Sequence, residues 1–133
     1  MYDRVFGKIE YDYGWCTQAK IELFDTVYNI VCVASAYKGE VINRDQRSKY
    51  TLFKENEKEI LKNIENKIKK YVEENFPDYS QKIKESLVPK ELIFHQDGDT
   101  GIFFECAWDL FIIEIKAPST PFIPRLRISL TPL

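Results

Sequence analysis

The hydrophobic period of this chain changes twice, and that double switch constrains its fold more than any single motif. Over residues 5–36 apolar side chains alternate with polar ones, as a pleated strand requires. Over residues 43–75 they recur every three or four positions, as one helix face requires, and from Pro89 onward strand-like runs return. A helical block enclosed between two strand-rich halves points to an α+β domain, since a doubly wound fold would alternate strand and helix throughout.

In the first half, residues 5–11 and 15–24 read as a hairpin around Asp12-Tyr13-Gly14, with Ala19, Ile21 and Leu23 on one face. Asp25-Thr26 supplies a second reversal into residues 27–36, apolar enough for a central strand. Asn43 is a good N-cap for the helical block, whose apolar positions are Tyr50, Phe53, Ile60, Leu61, Ile64, Ile68, Tyr71 and Val72. Asn56 and Glu57 interrupt the stripe, so the block is one long helix or two helices broken near residues 53–57. It stops at Asn75-Phe76-Pro77, because proline disfavours helix at the residue before it, and residues 79–87 add a short helical turn. Four strands follow, over residues 91–95, 101–108, 111–117 and 125–130. The expectation is a single domain over residues 1–133. Its largely antiparallel, curved sheet has about seven strands, and the helical insert is packed on one face. Phe104, Cys106 and Trp108 then line the sheet beneath Ile60, Ile64, Ile68 and Tyr71.

With 133 residues, 44% of them hydrophobic, the chain can bury one good core. Nineteen basic against twenty-one acidic residues leave a net charge of −2, so no bulk positive field draws it to nucleic acid or anionic lipid. Met1-Tyr2-Asp3-Arg4 lacks the basic and apolar start of a signal peptide, and no run approaches the roughly 20 apolar residues of a membrane span. A cytoplasmic address is expected. Cys16, Cys32 and Cys106 are widely spaced, with a single histidine in the chain, and each thiol sits among apolar neighbours, where it packs as a small hydrophobe. No cofactor and no metal are expected.

The chemistry-bearing residues are few. His95-Gln96-Asp97-Gly98-Asp99 is the one place where the histidine approaches carboxylates, but Asp-Gly-Asp between two strands is turn chemistry and the oxygens of a calcium loop are missing. No serine lies in a nucleophile elbow, and the glycines form no phosphate-cradling loop. Glu105, Asp109 and Glu114 could line an acid/base site, although two acids on a sheet are commonplace. Lysines and glutamates interleave along the helical block, with Glu65 and Lys69 or Lys70 and Glu74 one turn apart, which reads as a solvated face held by weak ion pairs. More distinctive are Tyr11, Tyr13 and Trp15 around the first turn. Alternation sends all three to one face of an extended ribbon, where they serve either the core or a contact surface. Phe122, in the proline-bounded loop of residues 118–124, is the other candidate anchor.

Three groups of residues carry a resemblance over most of the chain. They are Phe6-Gly7-Lys8-Ile9-Glu10-Tyr11 with Trp15, then Gln46-x-x-x-Tyr50-x-x-Phe53, and finally Gly101-Ile102-Phe103-Phe104-Glu105-Cys106-x-Trp108-Asp109 with the turn from Asp97. Together they resemble a family of short bacterial domain-of-unknown-function proteins, some thought to act as immunity or accessory proteins of toxin systems. The resemblance implies an immunity-type role with a cognate protein toxin as partner; with no catalytic constellation in the chain, the expectation is a non-enzymatic, cytoplasmic protein-binding module, and the aromatic turn and the proline-bounded loop make Tyr11, Tyr13, Trp15 and Phe122 its candidate binding residues. It brings no catalytic residue. The alternative is a small-ligand-binding domain or enzyme with a carboxylate-lined pocket between sheet and helix. Self-association through an uncovered sheet edge is a third reading.

Overall fold

The computed structural model describes residues 1–106 in full and, as backbone, the strands Phe111–Ala117 and Arg127–Pro132. A small hairpin of β1 (Tyr2–Asp3) and β2 (Gly7–Lys8) leads into β3 (Glu10–Tyr11), β4 (Trp15–Leu23) and β5 (Thr26–Ala34). Helices α1 (Arg44–Glu55) and α2 (Glu57–Asn75), a 3-10 turn (Pro77–Tyr79) and α3 (Ile83–Ser86) follow. The chain then returns through β6 (Leu87–Phe94), β7 (Thr100–Cys106), β8 (Phe111–Ala117) and β9 (Arg127–Pro132). Strands β3 to β9 pair in sequence order as one open sheet, antiparallel throughout except where β5 and β6 run parallel. The architecture is α+β with a mostly antiparallel sheet, and the whole helical block forms the crossover between the two parallel strands.

The first segment departs from its expected form. A continuous strand over residues 5–11 is replaced by two two-residue pieces, β2 and β3, because Gly7 takes φ +81° and the buried residues Phe6 and Ile9 stand three apart rather than two. The chain rotates as it advances, so the hairpin leaves the sheet and docks on α1. There Asp3 Oδ1 accepts hydrogen bonds from Arg47 Nε (3.1 Å) and Nη2 (2.7 Å), while Oδ2 accepts from the Val5 and Phe6 amides. Since β3 reaches only Trp15 and Cys16, residues 17–23 of β4 have no strand partner on their outer side among the described residues. Exposed Gln18, Lys20 and Glu22 line that edge, the kind of polar guard that discourages further pairing.

The helical block is two helices, broken at Asn56, whose backbone N–H and side-chain Nδ2 both donate to Leu52 O. Helix α2 buries Leu61, Ile64, Ile68 and Val72, and Ile60 and Tyr71 sit half-buried at the margins of that stripe. This face packs with Ile21, Leu23, Ile30 and Cys32 and with Leu92, Phe94, Ile102, Phe104 and Cys106 in one cluster. Each such side chain contributes about 1.5–3 kcal/mol when fully buried. At its centre Phe94 meets Phe6, Tyr50 and Phe53 edge-on, at ring-centroid distances of 5.8, 5.5 and 6.2 Å. Trp108 lies outside the described residues. The reverse of the sheet buries Val33 and Ile93, outside that cluster. Gly14 crosses Val33 so closely that a Cβ there would lie 2.8 Å from Val33 Cγ1.

Candidate functional site

The aromatic turn between β3 and β4 divides between the two faces of the sheet. Tyr11 and Trp15 are cross-strand partners whose rings meet edge-on at 5.2 Å, and Trp15 packs against the core. Tyr13 goes the other way. The close crossing of Gly14 over Val33 turns residue 13 onto the reverse face, where its hydroxyl donates to Glu91 Oε1 of β6 at 2.8 Å. The shared face expected from alternation therefore holds for Tyr11 and Trp15 but not for Tyr13, because a turn residue no longer follows the strand period. Desolvation of that hydroxyl, and then its bond to the Glu91 carboxylate, push the Tyr13 pKa up, so the phenol stays a neutral donor.

Tyr11 and Trp15 spend their polar ends on the loop that follows β5. Tyr11 Oη donates to Ala36 O at 3.0 Å and Trp15 Nε1 donates to Glu40 O at 2.8 Å. Within the loop Tyr37 and Glu40 close a turn, with Glu40 N donating to Tyr37 O and Tyr37 N donating to Glu40 Oε1. Gly39 occupies it at φ +92°, the conformation glycine adopts most cheaply. Two side chains are thereby held out in solvent, Tyr37 at 80% exposure and Val41 at 70%, while Tyr13 stands 55% exposed at the neighbouring tip. Sequence reasoning missed Tyr37 and Val41. The available signal was an aromatic and a β-branched residue flanking Lys38-Gly39 in a stretch with neither helical nor strand period.

Beneath the loop lies a polar junction. Gln46 has no exposed surface; its Nε2 donates to Ser35 O (2.8 Å) and Phe94 O (2.9 Å), and its Oε1 accepts from Asn43 N (2.9 Å). Asn43 Oδ1 in turn accepts from Gln46 N, completing a capping box, and Asn43 Nδ2 donates to Gln96 O. One amide thus ties the end of β5, the end of β6 and the start of α1 together, and all four of its hydrogen-bonding directions but one are used.

The remaining candidates fall into structural roles or outside the description. His95 to Asp99 is the β6–β7 turn, closed by His95 N to Asp99 O (2.8 Å), Gly98 N to His95 O (3.0 Å) and Asp99 N to Asp97 Oδ1 (2.9 Å). No group of three metal-ligating side chains occurs among the described residues. Glu105 is exposed and pairs with Lys90 Nζ at 3.4 Å. Asp109 and Phe122, like the side chain of Glu114, lie outside the described residues. Cys32 and Cys106 are core residues, and burial pushes the Cys32 thiol up to about 12. Burial, with Asp12 and Glu91 nearby, also raises the Cys16 thiol, which donates to Gly14 O. Neutral thiols of this kind are poor nucleophiles. Among the described residues no helix is long and apolar enough to cross a membrane.

A carboxylate-bearing cleft does exist between sheet and helix, at residues other than those expected. About 440 Å³ opens between α2 and the β4–β5 turn, lined by Glu22, Asp25, Glu57 and Glu65 but equally by Lys20, Lys58 and Lys62. Glu65 is engaged there, accepting from Phe24 N at 2.6 Å and from Lys62 Nζ at 3.5 Å.

A family model described as a domain of unknown function, DUF6985, matches residues 5–110. No curated protein and no solved structure matches the chain. The matched span includes Phe6, Gln46, Tyr50, Phe53 and Phe94, which meet around the junction just described.

Proposed function

The chain belongs to the DUF6985 family, a domain of unknown function, and on that premise we propose that it is a non-enzymatic protein-binding module, of the kind an immunity protein uses to block a partner toxin. One observation carries this reading: apolar side chains stand in solvent on a loop pinned from beneath. Tyr37 and Val41 are held by a turn that Trp15 and Tyr11 fasten to the sheet. Such a surface loses little conformational entropy when a partner covers it, and tyrosine and tryptophan are the commonest interface anchors. A bacterial source, a cytoplasmic address and a toxin as partner belong to the same proposal and rest on the resemblance and the composition. Binding rather than turnover is supported by the chemistry of the groups nearby, since the Tyr13 phenol and the Cys16 thiol both have raised pKa values and stay protonated.

The ligand-binding or enzymatic alternative has a specific place, the cleft beside α2. Its four carboxylates face three lysines, and Glu65 is committed to the Phe24 amide, which leaves that alternative the weaker.

Affinity capture from the native host, followed by titration of the purified partner, tests the proposal. A stoichiometric complex is expected, weakened about 30-fold or more by Tyr37→Ala with Val41→Ser at unchanged melting temperature, as loss of a hot spot of about 2 kcal/mol implies. A partner held equally well by the double variant would remove the loop from the interface, and turnover of a small molecule would replace the reading altogether.

A further inference from the structure

The geometry points to a separate binding site, for a doubly charged oxyanion of the phosphate-monoester class, in the cleft between the N-terminal hairpin and α1. The cleft has a volume of about 400 Å³, and its described lining contains Arg4, Arg44 and Arg47 with no carboxylate. Arg44, Arg47, Ser48 and Thr51 fall three, four and seven positions along α1, one face of the helix, and Arg4 reaches the same cleft from the hairpin.

Arg47 is held in place by the buried Asp3, through Nε and Nη2 to the same carboxylate oxygen, so one edge of its fork is occupied and the rest is oriented without freedom to collapse. Arg4 and Arg44 are exposed and have no hydrogen-bond or ion-pair partner among the described residues. Arg44 opens α1, where a basic residue opposes the helix dipole and the neighbouring Asp45 offsets part of that cost.

The donor set selects the ligand class. A single carboxylate saturates one guanidinium fork, whereas a tetrahedral phosphate offers two charges and three free oxygens, enough to engage Arg4 and Arg44 together with the Ser48 and Thr51 hydroxyls. The positive end of α1 adds to the same field. The site is independent of the aromatic loop and stands or falls without it.

The test compares two double variants that remove the same charge, Arg4→Gln with Arg44→Gln, and Lys67→Gln with Lys69→Gln on the exposed face of α2. Calorimetric titration and melting curves are recorded with inorganic phosphate, with a phosphoserine peptide and with sodium chloride at matched ionic strength. Phosphate should raise the melting temperature of the wild type and of the lysine variant by a few degrees beyond the chloride control, and the arginine variant should lose that shift and at least tenfold in affinity. A peptide bound tenfold tighter than inorganic phosphate identifies a phosphorylated protein as the source, and equal binding identifies a small phosphorylated molecule; either upholds the site. An equal response of the two variants, or a phosphate effect no larger than that of chloride, overturns it.

Discussion

The helical block is fastened to the sheet at two polar junctions, and they are built on opposite principles. At the start of α1 the neutral Gln46 makes three side-chain hydrogen bonds to backbone groups of three elements, and no strained residue is involved. At the β4–β5 turn the charged Glu65 makes one backbone bond, to Phe24, and an ion pair with the exposed Lys62. That turn carries Phe24 at φ 51° and Asp25 at φ 58°, a two-residue reversal that normally favours asparagine and glycine. The left-handed conformation costs a residue such as Phe24 roughly 1–2 kcal/mol. The difference teaches that a satisfied amide can specify the join between elements, whereas a carboxylate here compensates for a turn that fits its residues poorly.

The contrast can be broken most forcefully at Gln46. Gln46→Leu keeps the volume but leaves Ser35 O and Asn43 N without a partner, and two orphaned groups at about 1–3 kcal/mol each predict a loss of about 4 kcal/mol in urea denaturation. Gln46→Glu should cost at least as much at neutral pH, because its second oxygen then faces two carbonyls. A loss below about 1 kcal/mol in both variants would mean that the junction is ornamental.

A smaller effect is expected at Glu65. Glu65→Ala removes the acceptor for Phe24 N and should cost about 2 kcal/mol, while Glu65→Gln retains an oxygen at the same place and should cost little, since ion pairs with exposed lysines contribute about 0–1 kcal/mol. If the glutamine variant were as unstable as the alanine variant, charge rather than hydrogen bonding would govern this end.

The smallest expected effect sharpens the comparison through pH. Burial raises the Asp3 pKa, but Arg47 and the Phe6 and Val5 amides outweigh it and hold the group below 3.8. A depressed native pKa contributes stability that is complete above the unfolded value and is lost as pH falls through the native one. The stability difference between wild type and Asp3→Asn should therefore be constant above about pH 4 and shrink below it, as followed by melting temperature. A difference that persists unchanged into acid would show that Asp3 acts through shape alone.

Period made much of this fold legible. Alternation at Ala19, Ile21 and Leu23 located β4, and Asn75-Phe76-Pro77 marked the end of α2. The capping pattern Asn43-x-x-Gln46 marked the start of α1, but nothing in it showed that the same glutamine reaches two strand ends, because those contacts join residues far apart in the chain. Glu65 hides its role for the same reason. Among interleaved lysines and glutamates it looks like a solvated partner of Lys69, yet it lies on the stripe of Leu61, Ile64 and Ile68 and turns inward to the Phe24 amide. Of the candidate surface, Tyr11 and Trp15 were legible as aromatics at a turn, whereas Tyr37 and Val41 acquire their setting only when Trp15 reaches Glu40.

The parallel contact between β5 and β6 has a kinetic meaning. Every other ladder of the main sheet joins strands separated by a short stretch of chain, while Val31 to Ala34 must find Glu91 to Phe94 across the entire helical block. Loop-closure entropy grows only logarithmically with length, but it falls here on a single seam of four residue pairs, and parallel pairing rewards it late. The chain is in that sense two local meanders with one distant appointment, and the aromatic cluster around Phe94 sits at the place where the appointment is kept.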